Sequence, residues 1–151
     1  VVENIYIRKI NMINIPTEEI LFDLFYGGQS PTEAKDSDSK EARTVIQDVN
    51  EGTPCFRNIY IKDVICKGAG RAIFFNGLPE MKIKNFNLEN ITISDAKEGA
   101  RLSQAEDVNI QNVIVKTQKD GENLQMSDVK NITINGKKYN DIDSKGFKLN
   151  L

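Results

Sequence analysis

The stretch Asn58-Ile59-Tyr60-Ile61-Lys62-Asp63-Val64-Ile65-Cys66 contains the pattern that decides the fold. Apolar residues occupy every second position in each half, and Lys62-Asp63 interrupts the alternation. Side chains two residues apart lie on the same face of a β-strand, whereas a helix would need spacings of three and four. The stretch therefore predicts two short strands separated by a corner.

The same template recurs along the chain as apolar, any, apolar, any, any, apolar, any, apolar. Its copies are Ile5, Ile7, Ile10, Met12; Ile59, Ile61, Val64, Cys66; Phe86, Leu88, Ile91, Ile93; Val108, Ile110, Val113, Val115; and Ser127, Val129, Ile132, Ile134. Only Ser127 departs from it. The third apolar residues are separated by steps of 54, 27, 22 and 19 residues, so the last three steps have the length of single solenoid turns and the first includes an insertion.

The corners between the strands are rich in Asn and Asp. One column reads Lys9, Asp63, Asn90, Asn112, Asn131, and the column before the first strand reads Asn4, Asn58, Asn85, Asp107, Met126. Asn and Asp tolerate the left-handed backbone conformation that a sharp corner needs, and stacked amides can hydrogen-bond along the column. Together with 19 Ile and 16 Asn in 151 residues, these columns predict an all-β chain, a parallel β-helix of about five turns.

A third strand in each turn is predicted from the segments 20–25, 72–75, 100–102 and 123–125, which lie between copies of the template. Stacked turns place like residues above one another, so the inward column is expected to contain Met12, Cys66, Ile93, Val115 and Ile134, with Cys66 as a buried thiol. The outward column of the first strand would contain Tyr6, Tyr60, Asn87, Asn109 and Asp128.

The length predicts one domain, with the β-helix over 1–139, an inserted loop over 27–55 and a tail over 140–151 that covers the last turn. Asn135-Gly136 between two apolar or basic strands predicts a two-residue hairpin, and Phe147 and Leu149 would anchor the tail. The acidic run 36–41 in the loop resembles a calcium site, but it lacks the further oxygen donors, central Gly and closing Glu of an EF-hand, so a solvated loop is favoured.

Charge and residue content exclude several functions. Twenty basic and 22 acidic residues give a net charge of −2, which offers no basic field for nucleic acid, and no apolar run is long enough to cross a membrane. The chain has no His, so imidazole bases and His metal sites are excluded, and we expect neither a metal nor a cofactor. Six acids could serve glycoside hydrolysis but form no recognisable constellation: Asp23, Asp95, Glu98, Glu106, Asp107 and Asp128.

Five residues are candidates for binding an acidic sugar. Arg71 follows Gly68-Ala69-Gly70, where a backbone can approach a ligand closely and a guanidinium can pair with a carboxylate. Tyr6 and Tyr60 would stack on one outward face, with Arg8 and Lys62 beside them. The alternatives are that Arg71 is solvated or paired with an acid, and that the tyrosines and cations form an ordinary β surface.

Several segments resemble the C-terminal turns of bacterial glycoside hydrolase family 28, the polygalacturonase-like, pectin-degrading enzymes. They are Val2-Glu3-Asn4-Ile5-Tyr6-Ile7, Phe56-Arg57-Asn58-Ile59-Tyr60-Ile61-Lys62-Asp63-Val64, Gly70-Arg71-Ala72-Ile73-Phe74-Phe75-Asn76-Gly77-Leu78-Pro79-Glu80, Asn90-Ile91-Thr92-Ile93 and Ile134-Asn135-Gly136-Lys137. The resemblance implies that the parallel β-helix (β-solenoid) is right-handed and that the protein is secreted or periplasmic. It implies inverting hydrolysis of galacturonan without a metal.

The family's catalytic motifs, Asn-Thr-Asp, Asp-Asp, Gly-His-Gly and Arg-Ile-Lys, are absent here, so no catalytic residue is carried over. We therefore expect a non-catalytic C-terminal portion of such an enzyme, and the start at Val1 agrees with a trimmed piece. Its open N-terminal end would take preceding turns of a parent chain or associate with itself. A free-standing solenoid that binds acidic polysaccharide, and a structural or partner-binding solenoid, are the alternatives.

Overall fold

A computed structural model describes residues 1–25 and 46–151, and this part of the chain is all-β. The strands are β1 (Val2–Asp23), β2 (Phe56–Asn76), β3 (Ile83–Thr117), β4 (Leu124–Ile134), β5 (Lys137–Lys138) and β6 (Phe147–Leu149). They form one open sheet in the order β1-β2-β3-β4-β5, and β6 also pairs with β4. Within the described ranges there is no helix long and apolar enough to cross a membrane.

The long strands pair in parallel, each with the next one along the chain. β1 pairs with β2, β2 with β3 and β3 with β4, and β5 and β6 add antiparallel pairs at the end. We call each stretch of chain that lies beside the preceding stretch in these parallel pairs a row. β1 forms the outer row, and β2 and β3 form inner rows. Like residues lie opposite one another: Met12 pairs with Cys66, and Cys66 pairs with Ile93, as the template predicts.

The corners lie where the sequence predicts them in the first four copies of the template, and those of the last copy are displaced. Left-handed backbone occurs in the first column at Asn4, Asn58, Asn85, Asp107 and Asn131, and in the second at Lys9, Asp63, Asn90, Asn112 and Asn135, with φ between 48° and 58°. The predicted amide ladder is also confirmed. Asn58 Nδ2 donates to Asn4 Oδ1 at 3.1 Å, and Asn85 Nδ2 donates to Asn58 Oδ1 at 2.8 Å.

The alignment predicted for the last copy of the template is wrong. Val108 pairs with Ile132 and Ile110 with Ile134, so Ile134 does not join the column of Cys66, and Thr133 rather than Asp128 lies beside Asn109. Asn131 accordingly bonds to Asp107 in the first corner column instead of occupying the second. The reason is an additional corner: Asp128 adopts left-handed backbone, as does Gln104 in the preceding row, so Ser127 and Val129 continue the row of Ser103 and Ala105.

The predicted third segments pair with one another, but they are not separate strands. Ile73 pairs with Ile20 on one side and with Ala100 on the other, and Ala100 pairs with Leu124. All of them belong to the long strands, because the single left-handed residue at each corner turns the chain without ending the hydrogen-bonded pairing.

The buried apolar residues form one continuous core. Ile59, Phe86, Leu88, Ile91 and Met126 are fully buried. Cys55 and Cys66 are both free and buried, as predicted for Cys66. The tail contributes Leu149, Ile142 and Leu151 as partly buried residues that pack against the core.

The C-terminal segments pair with β4. The hairpin predicted at Asn135-Gly136 is confirmed, since Ile134 pairs with Lys137 in antiparallel β5. β6 pairs Leu149 with Leu124, but Phe147 is 46% exposed and lies against Tyr139 instead of anchoring the tail in the core. Most of the predicted loop, including the acidic run 36–41, lies outside the described residues.

Candidate functional site

The candidate site is a surface cleft on the outward face of β1 and β2. It has a volume of about 510 Å³, and its polar walls come from Tyr6, Arg8, Tyr60, Lys62, Asn87 and Glu89. The rings of Tyr6 and Tyr60 stack with centroids 4.9 Å apart and planes 6° apart. Four of the five residues predicted to bind a sugar therefore lie together.

Strand register brings these side chains into one cleft. Tyr6 pairs with Tyr60 and Arg8 with Lys62, and two-residue alternation directs all four away from the core. Residues 59–62 of β2 lie between two left-handed corners, Asn58 and Asp63, and these corners fix where the outward face begins and ends. Asn85 Nδ2 donates to the Tyr60 hydroxyl at 3.2 Å and holds the inner ring of the stack.

The cleft carries a small excess of positive charge. Lys62 Nζ lies 2.8 Å from Glu89 Oε1, and this hydrogen bond and charge raise the pKa of Lys62, so the ammonium persists at neutral pH. Arg8 makes no ion pair with any residue of the described ranges, and it is exposed. A ligand carboxylate would therefore find a fully available guanidinium at Arg8 and a shared ammonium at Lys62.

The outer face of Tyr6 is the aromatic surface open to a ligand. Tyr6 is 72% exposed, because one ring face covers Tyr60 and the other faces solvent. Tyr60 is half-buried, with one ring face against Tyr6 and its hydroxyl accepting from the Asn85 amide. A sugar ring can therefore stack on Tyr6, while Tyr60 supports that ring from behind.

Arg71 lies apart from this cleft. Its Nε is 2.9 Å from Glu98 Oε2, its second terminal nitrogen is 2.8 Å from the same oxygen, and Glu18 lies 3.6 Å away. The guanidinium carbon is also 4.6 Å from the centre of the Phe74 ring. Two corners, at Asp63 and Gly68, separate Arg71 from Tyr60 along β2, so Arg71 faces a different depression. The alternative of a guanidinium paired with acids is the one that the structure supports.

The six acidic candidates for hydrolysis have structural roles or local ion pairs. Asp95, Asp107 and Asp128 occupy left-handed corners. Glu98 and Glu106 lie within salt-bridge distance of Arg71 and Lys84, and Asp23 accepts hydrogen bonds from the Phe25 backbone and from Asn76. Among the residues that the structure describes, no group of three or more His, Cys, Asp or Glu is arranged to hold a metal ion.

Glu19 is a buried ionisable residue that is not among the candidates predicted from the sequence. Both carboxylate oxygens are buried, and desolvation raises the pKa of this side chain from 4.5 to about 7. It lies beside the buried Cys66 thiol, whose pKa is raised to about 12 by burial and by Glu19, so that thiol is not a nucleophile at neutral pH. The missed signal is the break at Pro16-Thr17, where a register shift between Ile15 and Glu18 changes which residues face inward.

Comparison with protein-family models, with curated proteins and with solved structures finds no match to this chain. The family resemblance described above therefore depends on the sequence segments alone.

Proposed function

We propose that this chain is a right-handed parallel β-helix of about five turns with three strands per turn. Parallel pairing of successive rows supports this, since each row returns to lie beside the previous one with the same corners. Parallel crossover connections are almost always right-handed. A crystal structure that shows the rows winding about a single axis with three flat faces would establish the architecture, and a sheet that does not wind would refute it.

We further propose that the chain is a non-catalytic portion of a polygalacturonase-like glycoside hydrolase, whose cleft at Tyr6, Arg8, Tyr60 and Lys62 binds galacturonan. The observation that carries the binding proposal is the stacked tyrosine pair beside two cations in one cleft. Galacturonate presents a ring for stacking and a carboxylate for each residue of the polymer, which matches Tyr6 and Arg8. The absence of His and of an adjacent Asp pair is consistent with a role in binding.

Titration calorimetry with oligogalacturonates tests the binding proposal. Arg8→Ala with Lys62→Ala should weaken binding by about tenfold or more, because two cationic contacts are lost. The matched control is Lys116→Ala with Lys145→Ala, which removes the same charge from exposed positions outside the cleft. Equal loss in both double variants would indicate nonspecific attraction and refute the site.

Hydrolysis assays and the upstream reading frame test the family proposal. We expect the chain to release no reducing sugar from polygalacturonate, and cleavage by the isolated chain would contradict a non-catalytic role. We also expect the coding sequence upstream of Val1 to encode Asn-Thr-Asp, Asp-Asp and Gly-His-Gly. A stop codon there would favour a free-standing polysaccharide-binding solenoid.

A further inference from the structure

The outer edge of β1 is an unpartnered surface of the described chain. β1 pairs with β2 on one side, and no other strand of residues 1–25 and 46–151 pairs with its second side. Its inward side chains Ile5, Ile7, Ile10 and Met12 are only partly buried, whereas Ile59, Ile61, Val64 and Cys66 opposite them are 0 to 2% exposed. The edge thus presents both free backbone groups and an apolar surface.

Three kinds of contact repeat from row to row and stop at β1: the Asn ladder, the tyrosine stack and the apolar column. Asn4 Oδ1 accepts from Asn58, but within the described ranges the Asn4 Nδ2 group donates to no acceptor, although Asn58 and Asn85 both donate along the same ladder. The Tyr6 ring stacks on Tyr60 and leaves its second face open. The apolar column likewise ends at Ile10, which packs on the core from one side only. Each interaction has the geometry to accept one more copy of itself.

Glu19 adds a chemical requirement to this surface. It lies between Glu18 and Ile20, which pair with Arg71 and Ile73, so it occupies the row position opposite fully buried Ala72. Both carboxylate oxygens are buried, and apart from the neighbouring Cys66 thiol they have no hydrogen-bond partner. A buried carboxylate in this state lacks the donors that would compensate for its lost hydration.

We propose that the β1 edge is a docking surface for one further parallel row of the same repeat, and that this row carries a hydrogen-bond donor opposite Glu19. The occupant has Asn at the corner over Asn4 and alternating apolar residues over Ile5 and Ile7. It has Ser, Asn or a basic residue over Glu19. This inference depends on the winding proposed above. A docked row covers the outer face of Tyr6, so the galacturonan proposal applies to the chain with a free β1 edge, and a failure to bind galacturonan leaves this inference intact.

A second copy of this chain fits the surface less well. β4, near the other end of the sheet, is paired with antiparallel β5 and β6, so it offers no free edge for head-to-tail continuation of parallel rows. Two β1 edges related by a two-fold axis would run antiparallel, and their Asn corners and Tyr6 rings would then not stack in register. Self-association through β1 is therefore an outcome that contradicts the proposal.

The experiment grafts an extra row onto the full chain. A copy of residues 56–82 is fused directly before Val2, which preserves the 27-residue step by which β2 pairs with β3. We expect the fused protein to melt about 5 °C or more above the parent chain, since the inward residues of β1 become covered. We also expect amide hydrogen exchange at Ile5, Ile7 and Ile10 to slow by at least tenfold. Unchanged exchange there would overturn the proposal.

A matched pair of grafts tests the donor requirement. The first keeps Ala72 in the copied row, over Glu19, and the second carries Ala72→Ser in that copy only. At pH 8 the Ser graft should melt above the Ala graft, and the difference should vanish when Glu19→Leu, which has no acceptor, is introduced into both. Equal melting of the two grafts at pH 8 would refute the donor over Glu19.

Two further measurements keep the test decisive if the fusion does not fold. A peptide of residues 56–76, added to the unfused chain, should perturb the NMR amide signals of β1 and leave those of β4 unchanged, whereas a shuffled peptide should perturb neither. No response from β1 would count against docking. Light scattering of the unfused chain should show a monomer across concentrations. A concentration-dependent dimer whose formation shifts the NMR amide signals of β1 would also overturn the proposal.

Discussion

β1 and β2 contain the same apolar template and the same corners, but the apolar side chains of the template are less buried in β1 than in β2. Val64 in β2 is 1% exposed, whereas Ile10, its partner in β1, is only partly buried. β2 has a parallel neighbour on each side, and in the described chain β1 has one. In stacked rows, burial is thus supplied by neighbours, and the same residue contributes different amounts to stability according to its row.

The largest test of this difference removes the same side chain from an inner and an outer row. Ile91→Ala in β3 should lower the free energy of unfolding by about 3 to 4 kcal/mol, because Ile91 is fully buried and its loss leaves a cavity. Ile10→Ala lies in the same column and should cost about 1 kcal/mol, since Ile10 is already partly hydrated. Urea unfolding measures both. Equal losses would mean that β1 is as well buried as β3.

A second test compares the middle and the end of the amide ladder. Asn85→Ala should cost about 2 kcal/mol, since it loses hydrogen bonds to Asn58 and Tyr60 and places Ala at a φ of 51°. Asn4→Ala places Ala at the same kind of corner but loses only the bond from Asn58, so it should cost less.

The Gly variants separate backbone strain from hydrogen bonding at these corners. Asn85→Gly tolerates left-handed backbone and should recover part of the loss caused by Ala. If Asn85→Gly were as destabilised as Asn85→Ala, left-handed strain would contribute nothing and the ladder bonds alone would account for the effect. Thermal and urea unfolding of the three variants Asn85→Ala, Asn85→Gly and Asn4→Ala give the comparison.

The inner rows were predictable from sequence because their determinants are local. Left-handed Asn and two-residue alternation identified the corners at Asn58, Asp63 and Asn90 and the cleft at Tyr6 and Tyr60. The last row was misaligned because the template was placed on Ser127 and Val129, whereas the buried residues Leu124, Met126 and Val129 have the same spacing around the corner at Asp128. The pairing of Arg71 with Glu18 and Glu98 depends on residues that are distant in sequence, so spacing alone could not choose it over ligand binding.

Glu19 permits a pH test of the outer row. Its pKa is raised to about 7 in the fold, whereas the ordinary value is 4.5, so the folded state holds the proton more tightly. Stability is then greatest below pH 4.5, falls as the pH rises from 4.5 to 7, and is constant above pH 7 as far as Glu19 is concerned. With allowance for solvent screening, the fall should be about 1 to 2 kcal/mol.

Glu19→Gln identifies the group responsible for this pH dependence. The variant should remove the fall between pH 4.5 and 7, while Glu51→Gln, at an exposed position, should retain it. Urea unfolding at half-unit pH intervals measures the effect. A wild-type profile that rises through this range would show that paired carboxylates elsewhere dominate and that Glu19 is solvated.

The smallest effects are expected from two cations of β2 that both pair with β3. Arg71→Gln should lower the unfolding midpoint measurably, because its side chain is only 22% exposed and its guanidinium joins Glu18 of β1 to Glu98 of β3. Lys62→Gln should leave the midpoint unchanged within error, because its pair with Glu89 is about half exposed and an exposed ion pair contributes little. High salt should reduce the Arg71 effect only in part, since Phe74 also packs on the guanidinium and that contact is not an ion pair. If Lys62→Gln were the more destabilising variant, the exposed Lys62–Glu89 pair would contribute more to the contact between β2 and β3 than Arg71 does.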